Sequence, residues 1–215
     1  MTLPDSLTFI GDFAFHDCQR LTNVMLPSSI VSIGIFAFAN CDLRSMTIPN
    51  SVTSIGVYAF HDCTRLTNIA IPNSVTSIPN GTFSHCGLTS ITIPDSVTTI
   101  GYGAFERCDL TNVTIPDSVI SLGENAFREC RRLTSITLPN SITSIGDYAF
   151  CDCKQLTDIT IPDSATSIGE GAFAGCIGLA NKLGLVIVRN TLFDYVGAAK
   201  DVIIPNTVTS ISDEV

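Results

Sequence analysis

LTNVTIP, residues 110–116, sorts its side chains into two sets: Leu110, Val113 and Ile115 are apolar, while Asn112 and Thr114 between them are polar. That alternation predicts a short strand with one buried face and one wet face. Pro116 removes a backbone donor and ends the strand, and Asp117 and Ser118 turn the chain. In the copy before it, VTTIGYGAF at 97–105, Val97 and Ile100 continue the core on the far side, Gly101 bends the chain, and Ala104 and Phe105 place a small and a large side chain inside.

The same stretch returns along nearly the whole chain. Pro4, Pro27, Pro49, Pro72, Pro94, Pro116, Pro139 and Pro162 are separated by 23, 22, 23, 22, 22, 23 and 23 residues. Phe15, Phe38, Phe60, Phe83, Phe105, Phe127, Phe150 and Phe173 keep step with them, as do Cys18, Cys41, Cys63, Cys86, Cys108, Cys130, Cys153 and Cys176. The length alternates because two residues separate Cys63 from Leu66 and only one separates Cys108 from Leu110. One such coil cannot bury its apolar face alone, so eight coils must stack, with neighbouring strands parallel and about 4.8 Å apart, giving a rod on the order of 40 Å long.

Composition narrows the function. The 215 residues are 45% hydrophobic and 14% charged, ample for a core, and 11 basic against 20 acidic residues leave a net charge of -9. An acidic chain of this kind argues against nucleic acid or an anionic membrane as the main partner. No apolar run is long enough to span a bilayer. The start, MTLPDSLTFIG, carries Asp5 and lacks a basic and then apolar character, so it is not a signal peptide.

The unit L-x-x-I-x-I-P followed by V-T-x-I-G-x-x-A-F-x-x-C resembles the BspA-like leucine-rich repeat, also called the Treponema pallidum type. The resemblance runs without a break from residue 3 to residue 176 and returns at IIPNTVTSI, 203–211. It implies a right-handed leucine-rich-repeat solenoid, with short parallel strands on one face and turns, short strands or 3-10 segments on the other. It also implies a non-enzymatic protein-binding module on a cell surface or secreted, adhesin-like, with host matrix proteins such as fibronectin or fibrinogen as partners and no cofactor. A surface location then requires a signal outside this chain.

AFHDC, at 14–18 and again at 59–63, gathers the side chains that catalysis and metal binding recruit, but its equivalents are AFANC, TFSHC, AFERC, AFREC, AFCDC and AFAGC. Only Phe and Cys persist, so these are structural core ladders, and the two residues between them are expected to be solvent-facing turn positions carrying no catalysis. Parallel stacking points neighbouring Cβ vectors the same way, which disfavours disulfides and predicts buried free thiols. Zinc finds support only in the Cys151-x-Cys153 pair, and no metal site is expected. Cys151, at a variable position, is expected to be exposed and reactive.

Three surfaces remain for a partner. The outward strand residues form a ladder of Thr47, Thr92, Thr114, Thr137 and Thr160 beside Asn23, Ser45, Asn68, Ser90, Asn112, Ser135 and Asp158. It is either a solvated sheet or a multivalent, weakly binding array. On the turns, Arg107, Arg128, Arg131, Arg132 and Lys154 make a candidate basic patch, interleaved with Glu106, Asp109, Glu129 and Asp152 in a way that equally suits mutual pairing. Phe13, Phe36, Tyr58 and Tyr148 share one register, with Gly81, Gly103, Asn125 and Gly171 in the other coils. They form either a partly exposed aromatic strip or rings packed over their own coils.

Residues 1–176 thus read as eight repeats, 177–204 as an irregular spacer and 205–215 as the start of a ninth repeat. Within the spacer, GLVIVRNTLFDYVG (184–197) predicts a hairpin around Arg189 and Asn190 or a degenerate coil. Pro79 stands where the other coils carry glycine, so φ there is negative or the turn is rebuilt around Gly81. The missing strand before Leu3 and the stop at Val215 predict a piece of a longer protein, with end-to-end self-association a consequence of open ends. A structural spacer or self-assembling rod without its own ligand is the alternative to the recognition module.

Overall fold

The structure, a computed structural model, describes residues 1–198, 202–213 and 215. Residues 199–201 of the expected spacer and residue 214 of the expected ninth repeat lie outside the described residues. Each coil contributes two short extended segments to two parallel sheets. One sheet holds the strands before the prolines, with Ser45–Thr47 paired to Asn68–Ala70, and Asn112–Thr114, Ser135–Thr137 and Asp158–Thr160 paired in order. In the fifth coil the segment Ser90 to Thr92 carries no ladder pairing, which interrupts this sheet. The other side is made of two-residue strands that pair in register in two runs, Phe9–Ile10 through Ser54–Ile55 and Ser77–Ile78 through Ser167–Ile168. Identical registers pair throughout, so the inward Ile of each coil lies on the inward Ile or Leu of the next.

The third side consists of hydrogen-bonded turns, and the fifth coil shows the pattern. The N–H groups of Gly103, Phe105 and Arg107 donate to the carbonyls of Glu124, Ala126 and Arg128 in the next coil. The alternate N–H groups of Ala104, Glu106 and Cys108 close turns onto Gly101, Gly103 and Phe105 within the coil. Every amide from 103 to 108 is therefore satisfied. The geometry places two residues per coil at positive φ. One register is filled by Phe13, Phe36, Tyr58, Gly81, Gly103, Asn125, Tyr148 and Gly171, and the other by Asp17, Asn40, Asp62, His85, Arg107, Glu129, Asp152 and Gly175. Asp, Asn and Gly tolerate this region, whereas aromatic side chains do so at a cost that the inter-coil ladder must outweigh.

Inside, the phenylalanines from Phe38 to Phe173 are wholly buried, and their successive rings stack with centroids 5.3 to 5.7 Å apart. Phe15 and Cys18 in the first coil are half-buried. Two further ladders rivet the coils together. Ser29, Ser74, Ser96, Ser118 and Ser141 each donate a hydroxyl to the carbonyl at the preceding coil's apolar position, as Ser118 does to Val97 at 2.5 Å. Each buried cysteine donates its thiol to the preceding coil's phenylalanine carbonyl, as Cys108 does to Phe83 at 3.1 Å.

Pro79 has negative φ. Gly81 has positive φ, but so has its register in all eight coils, so the turn is not rebuilt around it. From Gly34 onward the glycines equivalent to Pro79 serve close approach: a Cβ on Gly56 would lie 2.4 Å from the backbone of Gly34. After Cys176 comes one 3-10 turn, Ile177–Leu179, and then an antiparallel hairpin, Leu185–Val188 with Thr191–Tyr195, turning through Arg189 and Asn190 at positive φ. Ser210–Ile211 pairs in parallel with the second hairpin strand. Phe193 packs edge-on against Phe173 at 5.3 Å, so the hairpin carries the core past the eighth coil.

Candidate functional site

The turns bring the sequence-predicted basic residues together, and most of them are spent on one another. Glu129, only 8% exposed, accepts from Arg107 at Oε1 and from Arg131 at Oε2, both at 2.8 Å. The Arg107 hydrogen bond lowers the Glu129 pKa, with burial opposing it. Lys154 meets Asp152 at 3.4 Å, and Arg128 lies 3.9 Å from Glu106. Among the described residues Arg132 makes no ion pair. The patch is a paired surface rather than a cationic one, because Glu129 and Glu106 each meet an arginine of the neighbouring coil and Glu129 and Asp152 each meet a basic residue two positions on.

The aromatic register behaves differently. Phe13, Phe36 and Tyr58 stack face to face across three coils, with centroids 5.3 and 4.9 Å apart. Each ring leans over the next coil and not over its own, which corrects the second of the two packings expected from sequence. Tyr58 ends the stack by covering Gly81, where a Cβ would come within 2.0 Å of the ring, and Tyr148 covers Gly171 in the same way while its hydroxyl meets Glu170. A ring in this register therefore needs either another ring or a glycine after it.

All three histidines of the chain stand beside this stack. His16 is edge-on to Phe13 and Phe36, and His61 is edge-on to Tyr58, 5.5 Å away, with His85 5.3 Å beyond it. The Nδ1 of His61 meets the Ser84 hydroxyl at 2.6 Å, and burial, followed by the nearby His85, lowers its pKa. The expectation that residues between Phe and Cys simply face solvent is thus corrected: Ser84 and Glu129 are buried and His61 is half-buried, since stacking brings equivalent turns into contact.

Cys151 is half-buried, and burial and Asp152 raise its pKa, so the exposed, reactive thiol expected there is not what the fold makes. All nine cysteines are free thiols. The Thr ladder is exposed, and an open depression of about 570 Å³ lies on this face beside Asn23, Ser45, Thr47 and Asn68. Among the described residues no three His, Cys, Asp or Glu side chains converge on a metal position, and no helix is long and apolar enough to cross a membrane.

A stacked-coil solenoid with parallel ladders and almost no helix is a leucine-rich-repeat architecture. The family model for the BspA type leucine rich repeat region matches residues 1–111 and 98–215, in six copies, and the chain belongs to that family. It is similar to the T. pallidum leucine rich repeat protein, with 30% identity and a TM-score of 0.64 over 84% of this chain and 78% of that one. It is also similar to a leucine rich cell surface protein from Faecalibacterium prausnitzii, with 34% identity and a TM-score of 0.59 over 84% of this chain and 58% of that one. A leucine-rich repeat protein from Bacteroides ovatus aligns at 26% identity and a TM-score of 0.51, over 83% of this chain and 70% of that one. No curated protein matches the chain. The family points to a protein-protein interaction module, and the fold is one that is typically non-enzymatic.

Proposed function

We propose that this chain is the recognition segment of a cell-surface, adhesin-like protein that binds other proteins, host matrix proteins among them, through its turn ridge. The observation that carries this reading is the contrast between the chain's two accessible sides. The strand face repeats one polar pattern, while the ridge changes from coil to coil and holds the partly exposed aromatic rings and Arg132, the residue types on which binding energy concentrates. The surface location is supported by the Faecalibacterium relative, which is described as a cell surface protein.

The test is capture of the chain by immobilised fibronectin and fibrinogen, at low and high salt, with Thr114→Arg/Thr137→Arg on the strand face and Arg132→Glu/Tyr58→Gly on the ridge. Saturable binding that survives the first pair and falls at least about tenfold in the second supports the reading. Binding lost only in the Thr variants moves the site to the ladder. No binding by folded chain leaves a spacer, whose self-assembly would show as light scattering rising with concentration.

A further inference from the structure

The stack of Phe13, Phe36 and Tyr58 fills no core, since the wholly buried ladder runs one register away through Phe38 and Phe60. It stands outside that core as a second, half-exposed aromatic column, with Phe13 55% exposed and two further apolar side chains, Ile35 and Tyr102, each 41% exposed close by in the adjoining register. Its rings lie flat on one another, so the surface they offer is a row of edges, and ring edges carry the positive part of the aromatic quadrupole. Such a row takes aliphatic and aromatic side chains rather than cations directly.

In the three coils of the stack, the charged side chains in the two registers that flank the rings are carboxylates. Asp12 lies in the register before the rings and Asp17 and Asp62 in the register after them, and Glu106 lies near Tyr58 from the fifth coil. His16 stands edge-on to Phe13 and 3.0 Å from Asp17, His61 stands edge-on to Tyr58, and His85 lies against His61. Of the basic residues of these coils, Arg44 adjoins the strand Ser45–Thr47, while Arg20 and Arg65 share the register of Arg132, and Arg65 is held by Asp42 at 3.2 Å in a depression that Asp62 also lines. An apolar column flanked on both sides by carboxylates complements a segment in which apolar anchors alternate with positive charges. The paired Arg107–Glu129–Arg131 surface farther along offers no such sign.

We propose that this aromatic and histidine column is a docking surface for an extended polypeptide segment in which basic residues alternate with aromatic or aliphatic ones. The apolar side chains lie against the edges of Phe13, Phe36 and Tyr58, and the basic groups reach Asp12, Asp17 and Asp62. This deepens the recognition reading, on which it rests, by giving the partner's chemistry and its place on the ridge.

The test uses the full chain and three fluorescein-labelled peptides, made of Lys–Phe, Glu–Phe or Lys–Ala repeats, with binding followed by anisotropy at pH 7.5. The Lys–Phe peptide is expected to bind at least about tenfold more tightly than either other peptide. Phe36→Gly/Tyr58→Gly should weaken it about tenfold or more; glycine already fills that register in three coils, so the variant keeps a permitted backbone. Asp17→Asn/Asp62→Asn, which copies Asn40 in its own register, should weaken it severalfold with the rings intact. Equal affinity for Lys–Phe and Glu–Phe, or Lys–Phe binding unchanged by both variants, overturns the proposal. A chain that captures matrix proteins but ignores the Lys–Phe peptide sinks this surface alone, and one that binds the peptide but no matrix protein sinks the matrix assignment alone.

Discussion

Seven cysteines, from Cys41 to Cys176, each donate to a phenylalanine carbonyl one coil back, at 3.0 to 3.1 Å. A thiol suits the place because it packs as a small apolar group and still supplies a weak donor to an oxygen that water cannot reach. Burial pushes the Cys130 thiol up to about 12 and raises Cys108 well above its ordinary value, so the proton stays in the bond. Cys108→Ser, which keeps a donor, is expected to cost less stability than Cys108→Val, which removes it and adds a branch, the latter by about 1 to 3 kcal/mol in denaturant titrations. In the folded protein no more than two thiols, Cys18 and Cys151, should react with maleimide within minutes, and all nine should react in denaturant, as mass spectrometry would count. His61 sets a pH dependence. Its folded pKa is lowered, so its contribution is intact above the unfolded value of about 6.5 and is lost as pH falls from there toward the folded value. Unfolding midpoints should therefore drop between pH 7.5 and 5.5, and His61→Gln should reduce that drop.

A single coil holds two left-handed residues, and the ring-or-glycine rule gives the aromatic register a direct test. Gly81 and Gly103 both have positive φ, yet a Cβ at Gly81 meets the Tyr58 ring at 2.0 Å, while one at Gly103 meets only the Glu106 side chain, at 3.4 Å. Gly103→Ala should cost about 1 kcal/mol for backbone conformation, and Gly81→Ala clearly more, in parallel thermal melts. If Tyr58→Gly brings the cost of Gly81→Ala down to that of Gly103→Ala, ring contact accounts for the excess; equal costs without that change would refute the rule. On the charged turns, Glu129→Ala should cost about 1 to 3 kcal/mol, because it frees two exposed arginines but removes both their hydrogen bonds. The Glu129 pKa is lowered, so this contribution is present above the ordinary carboxylate range and fades as pH falls through the folded value.

As a whole the molecule is a one-dimensional stack in which each coil is held by its two neighbours. Phe105 sits at the middle of the core ladder, wholly buried and stacked on Phe83 at 5.7 Å and Phe127 at 5.3 Å. Phe105→Ala should cost about 3 to 5 kcal/mol by denaturant unfolding, and a loss below about 1 kcal/mol would mean that the ladder is not the core. The same substitution at half-buried Phe15 should cost less. Calorimetry should also show the central variant melting less cooperatively, since the break in the fifth coil separates the four coils before it from the three after it.

Periodicity alone determined the stacked coil, the strand before each proline and the inward Phe and Cys, because a repeat of 22 or 23 residues with fixed apolar positions has one way to bury them all. It also gave the hairpin after the eighth coil as one of two options, through the alternation around Arg189 and Asn190. Tertiary structure decided what a single coil cannot specify. Only stacking shows that the recurrent serines and cysteines are donors to the coil before, that aromatic residues are held at positive φ, and that each ring covers the next coil. The pairing of Glu129 with Arg107 and Arg131, and the gathering of the three histidines beside Phe13, Phe36 and Tyr58, have the same origin. Residues about 22 positions apart become neighbours only when one coil lies on another, and their chemistry is decided by that contact.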